Sequence, residues 1–375
     1  MKIVFHLAHP AHFHLFKEAI QDLQKRHEVM ITYNEKDVLE NLLASSSLKQ
    51  YSVKIKATTN TSSKLGLMTQ FLSKNLGYYK TVKNFRPDLM LGTSIIISLM
   101  GKLLGRPSVI VNEDDFDVVA KTANVGYPFA NYILCPHVVR TTRFDTKSVK
   151  YKGYHELAYL SPKYFHPDRK LIEPLFDGQE KYFILRFAKL TAHHDEGKTG
   201  MTPELTERII SLLKPRGKIY ITSERELEPQ FEPYRISIDP MDMHHAMYFA
   251  SMYIGDSQTM AAEAAVLGTP SIRFNDFVGK LSYLDELEFQ HHLTFGIPTS
   301  EPERLVSQVK ELLNIPDIRE IWAKRRQEML AEKIDVTAFM IWFIENYPKS
   351  AQQMLADSHT QKQFMEQPAT FQIAS

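Results

Sequence analysis

From Tyr253 to Pro270 the chain reads Tyr-Ile-Gly-Asp-Ser-Gln-Thr-Met-Ala-Ala-Glu-Ala-Ala-Val-Leu-Gly-Thr-Pro, and its residue types suit the binding of an anion. An apolar run ends at Gly255, Asp256 and Ser257 are strong N-cap types, and Ser257, Gln258, Thr259 and Met260 open a helix. The free amides and positive dipole end of such a helix face the carboxyl edge of the preceding strand, which favours phosphate oxygens. Glu263, four residues after Thr259, shares the face of the opening turn one level deeper and is placed to accept hydrogen bonds from ribose hydroxyls. Gly268, followed by Thr269-Pro270, stops the helix. The same signals also describe a capped structural helix with Glu263 facing solvent, and the residues alone leave both readings open.

Other chemistry-bearing residues fall at the ends of apolar runs. His9, His12 and His14 follow the first run; a spacing of two splays neighbouring histidines on a helix and no Cys or carboxylate joins them, so a metal site is not expected. A general base, a hydrogen-bond donor or helix caps remain. Asn112-Glu113-Asp114-Asp115-Phe116-Asp117 sets four carboxylates in five positions, crowding that raises a carboxyl pKa towards a useful range, or simply a solvated acidic turn; Glu113 and Asp114 are the candidates. Arg186 closes a later run and is suited to a diphosphate, or to pairing with local acids. Ser223-Glu224-Arg225 closes the next, and His193 and His194 stand in a polar loop where they could reach phosphates. His244 and His245 read as caps or packing residues, and Arg273, Asn275, Asp276 and Lys280 as residues that shape the far end of the site. Cys135, the single cysteine, reads as a small buried residue.

These positions make sense only if strands and helices alternate. Strands are expected over 2–8, 28–33, 51–55, 88–91, 108–111 and 131–135, with helices over 13–26, 64–85 and 95–104 between them. The series restarts with strands at 182–187, 218–222, 252–255 and 271–274 and helices at 203–213, 243–250 and 261–267. That alternation predicts an α/β protein of two Rossmann-like, doubly wound domains. The expected division is 1–165, joined by a C-terminal helix at 335–348, then 166–334, with 349–375 a loosely ordered tail.

The chain has 375 residues, a length suited to two cores. Lys and Arg number 45 against 44 Asp and Glu, a net charge of +1, which argues against nucleic acid as a partner. The opening residues lack a signal-peptide pattern, and no apolar stretch reaches the roughly 18 residues of a membrane span, so a cytoplasmic protein is expected. Basic residues over 64–86 allow at most peripheral membrane contact, against the simpler reading of a solvated helix face.

The run from Asp256 resembles the sugar-nucleotide site of the UDP-N-acetylglucosamine 2-epimerases, an Asp-Ser-Gly-Gly followed by Glu-Ala and Leu-Gly-x-Pro. Asp256, Ser257, Glu263, Ala264, Leu267, Gly268 and Pro270 match at equal spacing, while Gln258 and Thr259 replace the two glycines. Gly153-Tyr154-His155 takes the place of that family's Gly-Asn-Thr turn, and Thr191-Ala192-His193-His194-Asp195-Glu196 resembles its Thr-x-His-Arg-Arg-Glu-Asn loop. His9-Pro10-Ala11-His12 and Leu91-Gly92-Thr93-Ser94, with Arg186 and His194-Asp195, resemble more closely an uncharacterised prokaryotic family placed beside the GT-B glycosyltransferases.

The resemblance implies a GT-B fold with a cleft between the domains and a UDP-linked nucleotide-sugar held mainly by the second. It points to a metal-independent glycosyltransferase with no cofactor beyond its substrate, acting on a glycan or lipid-linked acceptor in envelope or surface glycan synthesis. Amides at 257–260 and Arg186 would stabilise the departing diphosphate, His12 or Glu113 would deprotonate the acceptor, and domain closure would exclude water. A glutamate at the place of Glu113 takes part in the epimerase reaction, so a sugar-nucleotide epimerase or hydrolase is the alternative. Against it, the epimerases' His-Gly-Asp-Thr appears here as Leu91-Gly92-Thr93-Ser94, without the acid. A non-catalytic sugar-nucleotide binder is a third reading. A dinucleotide oxidoreductase is disfavoured because no G-x-G-x-x-G run follows either opening strand.

Overall fold

In the computed structural model the described residues are 1–34, 37–55, 64–176, 181–188 and 200–365. The chain divides into two compact units, the first comprising Met1–Tyr159 and Ile334–Met365 and the second described over 160–333.

In the first unit seven strands form one parallel sheet: β1 (Lys2–Leu7), β2 (Glu28–Asn34), β3 (Ser52–Ile55), β4 (Leu89–Gly92), β5 (Ser108–Val111), β6 (Tyr132–Pro136) and β7 (Ser148–Tyr151). Their spatial order is β3-β2-β1-β4-β5-β6-β7. The inner strands are mostly apolar, Ile3, Val4 and Phe5 in β1 and Leu89, Met90 and Leu91 in β4 being buried, because helices cover both faces of a parallel sheet. The order reverses between β1 and β4, which makes their carboxyl ends the switch point where doubly wound folds bind ligands.

The second unit holds β8 (Tyr182–Phe187), β9 (Lys218–Ser223), β10 (Met252–Gly255), β11 (Ser271–Phe274) and β12 (Thr294–Ile297) in the order β12-β11-β10-β8-β9, again parallel. Here the reversal lies between β8 and β10. Trp322, from the helix Ile318–Glu332, is fully buried and donates its indole N–H to the Leu293 carbonyl at 2.9 Å.

Differences from the expected pattern are local. The strands β7 and β12 were not anticipated; each has only four residues and no clear alternation. The first helix begins at Pro10 rather than 13, with Pro at its first turn and His9 as its N-cap. The loosely ordered tail is corrected over 349–365: Lys349–Ala356 is a helix and Ser358–Phe364 a 3-10 segment, belonging to the first unit through buried Ser350, Ala351 and Met354. Small residues bury little area each, so composition understated their packing. The helix Val336–Glu345 is likewise part of the first unit, with Thr337 donating to the Ala158 carbonyl at 2.7 Å and the Phe339 ring 5.7 Å from Tyr151. Among the described residues no helix is long and apolar enough to cross a membrane.

Candidate functional site

The register of the second sheet sets Thr222, Arg186, Gly255, Arg273 and Gly296 side by side across β9, β8, β10, β11 and β12. Gly255 is required there: a Cβ would stand 2.6 Å from Arg186 Cβ and 2.8 Å from the Arg186 carbonyl, contacts that backbone cannot relieve. Immediately beyond it the chain turns. Asp256, 5% exposed, accepts the Ala188 N–H on Oδ1 at 2.6 Å, and its carbonyl accepts from Asn275 Nδ2 at 3.1 Å. One residue thus ties together the loops after β8, β10 and β11. Ser257 caps the helix Gln258–Leu267, its Oγ accepting from Met260 N at 3.4 Å, and Gly268 ends it at φ +81. Ser257, Gln258, Thr259 and Met260 are half-buried, so the opening turn borders the switch point.

Arg186 rises from the other side of that point. Its Nη1 donates to Thr222 Oγ1 at 2.9 Å and its Nη2 to Glu224, while Nε is buried with no hydrogen-bond partner among the described residues. Glu224 and Arg186, both expected at the site, are therefore brought together as an ion pair. Ser223 is turned into its own loop, accepting from Arg225 N at 3.1 Å and donating to the Arg225 carbonyl at 2.7 Å. Glu263 does not face solvent. It is 5% exposed, with Oε1 3.0 Å from His244 Nε2, on the helix Met243–Phe249. That partner was missed because no local spacing connects residues on separate helices. His193 and His194 lie outside the described residues.

On the first unit, His9 and His12 occupy the β1/β4 switch point. His9 Nδ1 accepts the Ala11 N–H at 3.2 Å and so caps the helix Pro10–Leu23, while His12 Nδ1, inside the helix, accepts the Ala8 N–H at 3.1 Å and ties its first turn to the end of β1. Thr93 Oγ1, just past β4, lies 2.7 Å from His12 Nδ1 and 2.8 Å from Nε2. With Nδ1 committed to a backbone donor, the neutral ring carries its proton on Nε2, which fits a hydrogen-bond donor better than the base expected of His12.

The acidic run after β5 is not one cluster. Asp115 is fully buried and accepts from Arg140 N at 2.7 Å and Arg140 Nε at 3.1 Å, while Asp117 is exposed. The Asp114 carbonyl accepts from Asn112 Nδ2 at 2.6 Å. Glu113 turns towards His155, with Oε2 3.2 Å from Nδ1. Among the described residues no group of three His, Cys, Asp or Glu side chains is arranged to hold a metal ion. Cys135 is buried in the first unit, where burial pushes its thiol up to about 12 and leaves it a packing residue.

A model of the family described as Protein of unknown function (DUF354) matches residues 1–349. Among curated proteins no match was found. Among solved structures, the UDP-GlcNAc 2-epimerase from Neisseria meningitidis bound to UDP-GlcNAc is similar at TM-score 0.64 and 14% identity, over 92% of this chain and 100% of that one. The UDP-GlcNAc 2-epimerase from Methanocaldococcus jannaschii is similar at TM-score 0.61 and 14% identity, over 92% and 100%. The calicheamicin glycosyltransferase CalG4 is similar at TM-score 0.54 and 13% identity, over 92% and 98%. At these identities the likeness is one of fold: two Rossmann-like units of the GT-B type, as the resemblance of 256–270 implied.

Proposed function

The chain belongs to the family described as Protein of unknown function (DUF354), and from that premise we propose that it is a nucleotide-sugar-dependent glycosyltransferase. The observation that carries the reading is the second unit's switch point, where Asp256 fastens the β8 and β10 loops together beside a Ser257-capped helix opening and the buried Nε edge of Arg186. A diphosphate there meets helix amides and a guanidinium, both oriented before it arrives. Glu263, held by His244, takes the ribose hydroxyls. In the reaction an acceptor oxygen attacks the sugar C1, the bond from C1 to the diphosphate oxygen breaks, and the diphosphate leaves with the electron pair. Glu113 of the first unit receives the acceptor proton. In our reading the donor is UDP-linked, no cofactor is needed, and the acceptor is an envelope or surface glycan, free or lipid-linked.

Calorimetry with UDP and UDP-GlcNAc tests the site. The wild-type protein binds, and Glu263→Gln weakens binding roughly tenfold to a hundredfold, the effect of hydrogen bonds to a charged group worth about 1.5–3 kcal/mol. Silence of the wild type towards UDP, GDP, CDP and dTDP alike, or equal affinity in the variant, defeats the reading.

A pH effect follows from Asp256. Burial pushes its carboxyl up to about 6, against the opposing pull of the Ala188 and Asp256 N–H groups, Arg186 and Arg225. The group is ionised above that pH and neutral below it, so a like charge beside the diphosphate is removed as pH falls. Affinity for UDP-GlcNAc, whose diphosphate is doubly substituted, should rise about threefold to tenfold between pH 7.5 and 5, a repulsion of about 1 kcal/mol. Asp256→Asn should bind with no such dependence; an unchanged slope in that variant assigns it elsewhere.

The epimerase alternative shares this donor site and needs no acceptor. Incorporation of solvent deuterium at C2 of UDP-GlcNAc would select it, whereas transfer to an added acceptor without that exchange selects the glycosyltransferase.

A further inference from the structure

Glu113 and His155 come from separate segments of the first unit, one after β5 and the other four residues after β7, yet their side chains meet with Oε2 3.2 Å from Nδ1. Both are largely withdrawn from solvent, with side-chain exposures of 18% for Glu113 and 10% for His155, and the Glu113 Oε2 and His155 Nε2 atoms are themselves buried. His155 Nε2 has no hydrogen-bond partner among the described residues. The surroundings are acidic or neutral: Asp114 stands beside Glu113, Glu156 is fully buried beside His155, and the Tyr151 hydroxyl of β7 is buried nearby.

Two tautomers of neutral His155 are open, and electrostatics separates them. With the proton on Nε2, the ring would bury an unpaired donor and aim the Nδ1 lone pair at a carboxylate oxygen, two costs at once. With the proton on Nδ1, the N–H lies within ion-pair distance of Oε2, 3.2 Å away though off the line of a formed hydrogen bond, and the buried Nε2 is only an under-used acceptor, the milder defect. Burial holds the imidazole down, at about 4, despite the opposing influence of Glu156 and Asp114, so the ring is neutral near pH 7.

We infer that His155 is a positioning residue for Glu113: as the neutral Nδ1–H tautomer it anchors the inward oxygen Oε2, fixing the carboxylate's orientation and favouring its ionised form. The catalytic consequence rests on the glycosyltransferase reading, in which Glu113 takes the acceptor proton; the pairing itself does not. A base must be ionised to accept a proton and fixed to accept it at one place, and a buried N–H donor on one carboxylate oxygen supplies both. Removing the donor raises the Glu113 pKa, because the lost hydrogen bond favoured the charged form.

The test is NMR on the full chain without nucleotide. In ¹⁵N-histidine-labelled protein at pH 7, the resonance that disappears in His155→Asn should show a protonated Nδ1 and an unprotonated Nε2. Carboxyl ¹³C titration, with Glu113 assigned by Glu113→Gln, should show its midpoint about one to two pH units higher in His155→Leu than in wild type. His155→Asn, which retains an N–H donor, should restore most of that shift. An Nε2-protonated ring in the wild type, or one Glu113 midpoint shared by all three proteins, overturns the inference; should His155→Leu fail to fold, the wild-type tautomer and the His155→Asn midpoint still decide it. Because no nucleotide is present, a protein that shows the pairing but binds none of UDP, GDP, CDP and dTDP retires the glycosyltransferase reading and leaves the pairing standing.

Discussion

Replacing Arg186 with alanine should weaken UDP binding roughly a hundredfold and leave the protein folded. The guanidinium stands at the switch point of the second sheet with one edge engaged by Thr222 and Glu224 and its Nε uncommitted among the described residues. Two charge-assisted hydrogen bonds to a diphosphate are worth about 3 kcal/mol together, which is the hundredfold. Its present partners cost little to lose, because Glu224 is half exposed and such pairs contribute at most about 1 kcal/mol. Arg186→Lys retains the charge but not the planar fork and should recover only part of the affinity. Glu224→Gln should bind as well as wild type or better, since it releases Nη2 without removing the guanidinium. Calorimetry at one fixed ionic strength measures all three. An Arg186→Ala protein within twofold of wild type would remove Arg186 from the site.

The second large effect concerns stability. Arg273 is 0% exposed, with Nη2 3.1 Å from Glu288 Oε2 and 3.5 Å from Asp285 Oδ1. Gly296 makes room for the pair: a Cβ there would lie 2.8 Å from Glu288 Oε2 and 3.0 Å from Arg273 Nη2. Glu288→Ala leaves the guanidinium buried beside only the more distant Asp285, and should cost about 3–5 kcal/mol. For a unit of this size that lowers the midpoint of thermal unfolding by on the order of 10 °C. Arg273→Met combined with Glu288→Leu should regain most of the loss, because apolar side chains of similar volume avoid the desolvation of two charges. If the double variant is as unstable as Glu288→Ala, the destabilisation comes from lost packing rather than from a stranded charge.

Legibility followed sequence distance. The opening of the helix Gln258–Leu267 was readable because a strand end, a cap and a glycine stop are decided by neighbouring residues. Arg186 and Glu113 were readable as strand-end residues, but not their partners. Glu224 is 38 positions from Arg186 and His244 is 19 from Glu263, so each pairing depends on which elements become neighbours. The run Glu113 to Asp117 shows the converse. Crowding along the chain suggested mutually perturbed carboxylates, whereas the turn sends Asp115 inward to Arg140, leaves Asp117 in solvent and brings Glu113 to His155.

The alternation of apolar runs with helical patterns, by itself, determined two parallel, doubly wound sheets and the helix opening at Ser257, because burial on both faces and local capping are short-range demands. Strand order was decided only in three dimensions, and with it the two switch points that set Arg186 beside Gly255 and His12 beside Thr93. The protonation chemistry was decided there too. Asp256 is raised, His155 is held neutral and Arg273 is committed to Glu288 because desolvation and charge pairing act through space, between groups that the chain order keeps far apart.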